Sequence, residues 1–145
     1  MRSAITVSLV PEAKGGPFVF WDGLEDAFTQ ASVHGFDAVE IFPSSSEALS
    51  IPEVQALQQK TGLSVAAVGT GAGWVKHKLH LCHPDETIRK AAKAFIASVI
   101  RCAAALNAPT ILGSMQGRVE AGVERSQALD WLSEALAEAG ALAAS

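Results

Sequence analysis

The chain has 145 residues, 49% hydrophobic and 18% charged, which suits one domain with a real core and excludes a disordered tail. Its 11 basic and 15 acidic residues give a net charge of −4 with no basic run, so a nucleic-acid partner is disfavoured. No apolar run approaches a membrane span, and Met1–Ile5 leads into alternation rather than a signal-peptide core, so we expect a cytoplasmic protein without membrane contact.

Strand-then-helix units follow one another along the chain. Ala4 to Val10 predicts a first strand, with Ile5, Val7 and Leu9 alternating against Thr6 and Ser8. After a Gly/Pro loop, Asp22 with Glu25 reads as a capping box. It opens a helix with Leu24, Ala27, Phe28 and Ala31 on one face, which Gly35 stops. Asp37 to Phe42 predicts the second strand. Ser50, Pro52 and Glu53 open a second helix that buries Val54 and Leu57 and ends at Gly62.

Ser64 to Val68 predicts the third strand, and Gly69 to His83 reads as a long loop. Asp85 to Leu106 carries Ile88, Ala92, Phe95, Val99, Cys102 and Leu106 at steps of four and three, the signature of an amphipathic helix. Thr110, Ile111 and Leu112 predict a short fourth strand ending at Gly113. A last helix is expected to bury Leu129, Leu132, Leu136 and Ala139. The two cysteines, Cys82 and Cys102, do not form a disulfide framework and read as reduced thiols.

Alternating strands and helices imply parallel strands joined by right-handed crossovers. Four such units fit half of an eight-unit barrel or a small doubly wound sheet, and periodicity alone does not choose between them. Three stretches do: Gly35 to Phe42, Thr61 to Val65 with Gly69-Thr70-Gly71, and Asn107 to Gly113. Together with Pro84 to Arg89 opening the long helix, their order resembles the xylose isomerase-like TIM-barrel superfamily of sugar phosphate isomerases and epimerases.

The resemblance implies an α/β fold of the (β/α)8 type, with residues 1–145 as a single domain forming the N-terminal half of the barrel. It implies metal-dependent aldose–ketose isomerisation or epimerisation of a small sugar or sugar phosphate. The divalent ion (Mn, Mg, Zn or Co) would be held by carboxylates and histidines at the ends of strands five to eight. No metal ligand is therefore assigned in this chain, and no catalytic residue. Endonuclease IV-like repair enzymes of the same superfamily bind zinc partly through histidines at the ends of strands three and four. Gly69 and Gly113 at those positions, and the acidic balance, argue against that activity. A non-catalytic half-barrel serving as a binding or assembly module is the remaining alternative.

In a barrel, the C-terminal strand ends line the site. Glu40, near the end of an apolar strand, could bind a sugar hydroxyl or influence a nearby metal. In the glycine-rich loop, Thr70 and Trp74 are expected to contact substrate, with Trp74 as an apolar wall and the glycines admitting close backbone approach to a ligand. Ser114, Gln116 and Arg118 could present backbone N–H groups and a guanidinium to a phosphate or sugar carboxyl. His77, His80 and His83 lie beside lysines in a segment that reads as irregular, and are expected to be solvated or capping rather than zinc ligands. Four strands would leave two open edges, with residues from Ile5 to Leu9 and from Val65 to Val68 facing water on the inward side. From this we expect a homodimer that pairs edge to edge.

Overall fold

A computed structural model describes residues 1–145. Its elements are β1 (Ala4–Ser8), α1 (Leu24–Val33), β2 (Ala38–Phe42), α2 (Ile51–Thr61), β3 (Ser64–Gly69), α3 (Ala72–His77), α4 (Glu86–Ala104), β4 (Thr110–Ile111) and α5 (Arg125–Ala143). The strands form one parallel sheet in the order β1-β2-β3-β4. That order is the winding of a partial TIM barrel, in which each crossover steps to the next neighbour. It excludes the doubly wound alternative, whose strand order reverses.

Strand alternation divides the sheet chemically. Val7, Val39, Ile41, Val65 and Val68 pack with Leu24, Phe28, Val54, Leu57, Val99 and Leu106 in one core, so α1, α2 and α4 lie on the same side of the sheet. Ile5 and Leu9 pack against that core too, which corrects the expectation that they face water on the inward side. The opposite, inward face carries Thr6, Glu40 and Ala67 in one row of the register. Between Val39 and Glu40 the register with β3 slips by one residue, a bulge that keeps Val65 and Val68 on the same face.

The β1 edge is not open as expected. Phe20 bridges to Val7, the Ser8 N–H donates to the Phe20 carbonyl, and the Val19 and Phe20 N–H groups both donate to the Thr6 carbonyl. The segment before α1 thus folds back as a short cover for half of the edge.

Local signals explain most boundaries. Ser50 caps α2 by accepting the Glu53 N–H, and left-handed Gly62 ends it. Asp85 caps α4 through the Thr87 N–H. Elsewhere the structure departs from the sequence reading. β1 stops at Ser8, because a 3-10 turn begins at Pro11. The capping box at Asp22 does not form, since Gly23 at φ 94 turns the chain there and takes the cap position. β4 has only two residues, because Leu112 has already turned helical before a 3-10 segment over Gly113–Gln116.

α5 also differs. It buries Ala128 and Ala135; of the four residues expected inward, Leu132 and Ala139 pack against the core, while Leu129 and Leu136 are 52% and 46% exposed. The alanine stripe meets Ile96 and Ile100 of α4, a second face of that helix beyond the predicted one, and Lys93 bridges to Glu134 and Glu138 across the seam. No helix is long and apolar enough to cross a membrane.

Candidate functional site

The glycine-rich segment after β3 is not the long loop expected from its composition. It folds into α3, and the space above its glycines is filled by the protein itself. A Cβ on Gly71 would meet the Phe42 ring at 2.6 Å, and one on Gly73 would meet the Met115 sulfur. Small residues are needed here so that α3 can lie against the segment after β4, not for approach to a ligand. Thr70 belongs to the same joint. It is fully buried, and its hydroxyl donates to the Leu112 carbonyl at 2.5 Å, tying the end of β3 to the end of β4.

With the two segments joined in this way, Trp74, Ser114, Gln116 and Arg118 line one cleft with His80 and Gly117, of about 230 Å³. Four of the six expected contact residues therefore come together beyond the C-terminal ends of β3 and β4. Glu40 is not among them. It sits mid-strand on the inward face, between Thr6 and Ala67, and its carboxylate has no hydrogen bond or ion pair in the chain. Partial burial without a partner raises its pKa above the usual carboxylate value.

His80 is the residue the sequence reading placed wrongly. It was expected to be solvated or capping, yet it is 1% exposed and forms the floor of the cleft. Its ring stands edge-on to Trp74 at 5.5 Å and to His83 at 5.1 Å. Nε2 lies 3.4 Å from Glu120 Oε1, and Nδ1 is buried without a hydrogen-bond partner. Burial lowers its pKa, with His83 and Arg118 adding to the effect and Glu120 opposing it. Burial thus weighs against the protonated ring, and Nε2 is the nitrogen that faces the Glu120 carboxylate.

Gly117 makes this packing possible. Its backbone, at φ 86 and ψ −162, lies in a region restricted to glycine, and a Cβ there would be 2.4 Å from His80 Nδ1. His77 is exposed, whereas His83 Nδ1 accepts the Asp85 N–H at the start of α4.

Two cations flank Trp74. The Arg118 guanidinium lies 5.6 Å from the indole centroid and Lys78 Nζ lies 5.3 Å from it. Lys78 is held by left-handed backbone at the end of α3 and by a bond from Nζ to the Val75 carbonyl. Arg118 Nε meets Glu120 at 3.5 Å. Neither Lys78 nor Glu120 was singled out in the sequence. The one available signal was their closeness in sequence to Trp74 and Arg118. Cys82 lies beneath the same region, donating to the Gln116 and Ala128 carbonyls, and burial raises its thiol pKa; both cysteines are unpaired.

No group of three or more His, Cys, Asp or Glu side chains comes together in a way that could hold a metal ion. The donor set near the cleft is two histidines and one carboxylate, and His83 already spends Nδ1 on the backbone while Glu120 is shared with Arg118. The residues present therefore do not fit the divalent ion that the resemblance implies.

A sequence profile of the family described as xylose isomerase-like TIM barrel matches residues 28–145. Among curated proteins, no sequence matches significantly. Among solved structures, the fold is similar to 3-keto-D-glucoside 4-epimerase from E. coli, at a TM-score of 0.69 and 18% identity over 99% of this chain and 52% of that one. It is also similar to D-psicose 3-epimerase from Clostridium cellulolyticum, solved with D-tagatose, at 0.64 and 19% over 99% and 48%. D-allulose 3-epimerase from Methylomonas sp., in complex with D-allulose, matches at 0.64 and 15% over 82% and 41%. At these identities the likeness is one of fold. The chain spans about half the length of the first two structures.

Proposed function

The chain belongs to the xylose isomerase-like TIM-barrel family, and from that premise we propose that it supplies the sugar-binding wall of a sugar or sugar phosphate isomerase or epimerase. On this reading residues 1–145 are one domain, the N-terminal half of the barrel. The observation that carries it is the cleft of Trp74, Ser114, Gln116 and Arg118 beyond the ends of β3 and β4. Catalytic barrels place their sites at that end of the sheet.

The chemistry available there is binding and orientation. The Trp74 ring offers an apolar face for the C–H side of a sugar ring. Ser114 and Gln116 make no side-chain hydrogen bond within the chain and are free to meet hydroxyls. Glu40, one layer deeper on the inward face, offers an unpaired carboxylate to a hydroxyl that enters the barrel. No group in this chain holds a divalent ion, so no step is assigned to one.

The ligands in the neighbouring structures, D-tagatose and D-allulose, make a ketohexose the natural first probe. Titration with D-fructose should shift the Trp74 indole N–H resonance. Trp74→Ala should weaken binding about three- to ten-fold, the weight of one aromatic contact. A titration that moves resonances elsewhere and leaves those of the cleft unchanged would reject the site.

A second reading, an assembly module, is favoured by exposed Ile111 in the two-residue strand β4 and by exposed Leu129 and Leu136, seven residues apart on one face of α5. The half-covered β1 edge makes the β4 side the better one for pairing, and on this reading two copies associate through it. Sedimentation should then show a dimer that Leu136→Lys dissociates. A monomer across the same concentrations counts against it.

A further inference from the structure

The floor of the cleft is one imidazole wedged between two stretches of chain far apart in sequence. In its own stretch the Leu81 N–H donates to the Met115 carbonyl at 2.9 Å, and the Cys82 thiol donates to the Gln116 carbonyl at 3.1 Å. Few other bonds hold the two stretches together. On the far side of the ring Gly117 is pressed against Nδ1, with no room even for a Cβ. Nδ1 is the one buried side-chain nitrogen or oxygen of the chain without a hydrogen-bond partner. A proton on it would meet neither an acceptor nor water, and burying an unpaired N–H is unfavourable.

The charges around the ring do not rescue that proton. His83 stands 5.1 Å away, ring to ring, with its own Nδ1 already accepting the Asp85 N–H at the start of α4. Arg118 follows Gly117, and Lys78 of α3 lies beyond Trp74. Glu120 favours the charged ring from 3.4 Å at Nε2, but it is shared with Arg118. Burial, then His83 and Arg118, outweigh Glu120 and lower the His80 pKa.

We propose that His80 is an acid-sensitive latch: a proton on Nδ1 drives the ring out from under Gly117, parts Leu81 from Met115 and takes the cleft apart while the sheet stays folded. That opening costs the cleft its ligand rests on the sugar-binding reading above; the latch itself does not. The closed form binds the proton less readily than the open form. Closure is therefore fully in force above about pH 6.5, the value of a solvated imidazole, and weakens as pH falls from there towards the lower pKa of the closed form.

Hydrogen exchange of the Leu81 N–H, read by NMR from about pH 7.5 to about pH 5, tests this. Its protection should fall about ten-fold per pH unit across that window, while the Val68 N–H, bonded to the Pro109 carbonyl in the sheet, keeps its own. Glu120→Gln removes the carboxylate that favours the charged ring, so the fall should continue to lower pH. Arg118→Met removes a cation, so the fall should stop at a higher pH; Arg118 is 71% exposed, and the fold should survive the change. A ring that serves only as packing gives no such pair of opposite effects. D-fructose should restore protection, because a ligand of the closed cleft opposes its opening.

Leu81 protection that stays flat with pH overturns the latch and leaves the sugar-binding reading in place. A parallel fall at Val68 means that the whole domain unfolds, and it overturns the latch as well. If protection falls at Leu81 alone and D-fructose changes nothing at any pH, the latch stands and the sugar-binding reading is lost.

Discussion

Gly117→Ala should cost about 3 kcal/mol of stability and abolish ligand binding in the cleft. Two independent terms add. The backbone at φ 86 and ψ −162 lies where only glycine is at ease, and a side chain held there costs about 1–3 kcal/mol. The new Cβ would sit 2.4 Å from His80 Nδ1 and 3.1 Å from His80 Cβ, so the whole ring has to move, and overpacking of this kind costs about 1–3 kcal/mol. Trp74, His83 and Glu120 crowd His80, so the ring can yield only into the cleft that it lines. Chemical denaturation of the wild type and the variant measures the first effect, and titration with D-fructose measures the second. A variant of unchanged stability would show that Gly117 and His80 are not packed as described. His80→Ala in the Gly117→Ala background separates the terms, since it should recover the overpacking part and leave the backbone part.

Phe28→Ala should be the most destabilising single change in the chain, at about 3–5 kcal/mol. Phe28 is the largest of the fully buried side chains and lies where α1 crosses the sheet, among Val7, Val39, Ile41 and Leu57. Removing the ring gives up its transfer energy and leaves a cavity that the rigid strands cannot collapse into. A domain of this size has about 5–15 kcal/mol in all, so the variant is expected to lose about a fifth or more of its stability. Urea unfolding should show a lower midpoint with an unchanged slope. Phe28→Leu, which refills most of the space, should recover more than half of the loss, and a variant within 1 kcal/mol of wild type would mean that α1 is not anchored there. The cleft lies at the far end of β3 and β4, so ligand affinity of the folded variant should hold.

The elements most legible in the sequence are those whose local chemistry agrees with their packing. In α2, Ser50, Pro52 and Gly62 are written at the two ends and Val54 and Leu57 on the buried face, so local preference and tertiary demand coincide. The strand order of a barrel came from a pattern of stretches spread over the whole chain, and the parallel sheet has that order. Trp74, Ser114, Gln116 and Arg118 come together in one cleft because they follow strands, and the ends of parallel strands converge.

Whatever depended on a distant partner was decided by tertiary structure alone. In α5, Leu129, Leu132, Leu136 and Ala139 share one period, yet the cluster around Ile96 and Ile100 takes Leu132, Ala135 and Ala139 and leaves Leu129 and Leu136 exposed. Thr70 looks like a loop hydroxyl open to ligand, but the Leu112 carbonyl, 42 residues on, claims it. His80 sits in a run of lysines and reads as solvated. Its burial comes from Gly117, whose missing side chain leaves room for the imidazole, and that burial lowers its pKa. Composition and spacing thus determined the four strands and every helix but α3, whose glycine-rich segment reads as a loop. Contacts between residues far apart in the chain determined which of those loop residues face the cleft and which hold it together, because burial and pairing are properties of the neighbours that folding supplies.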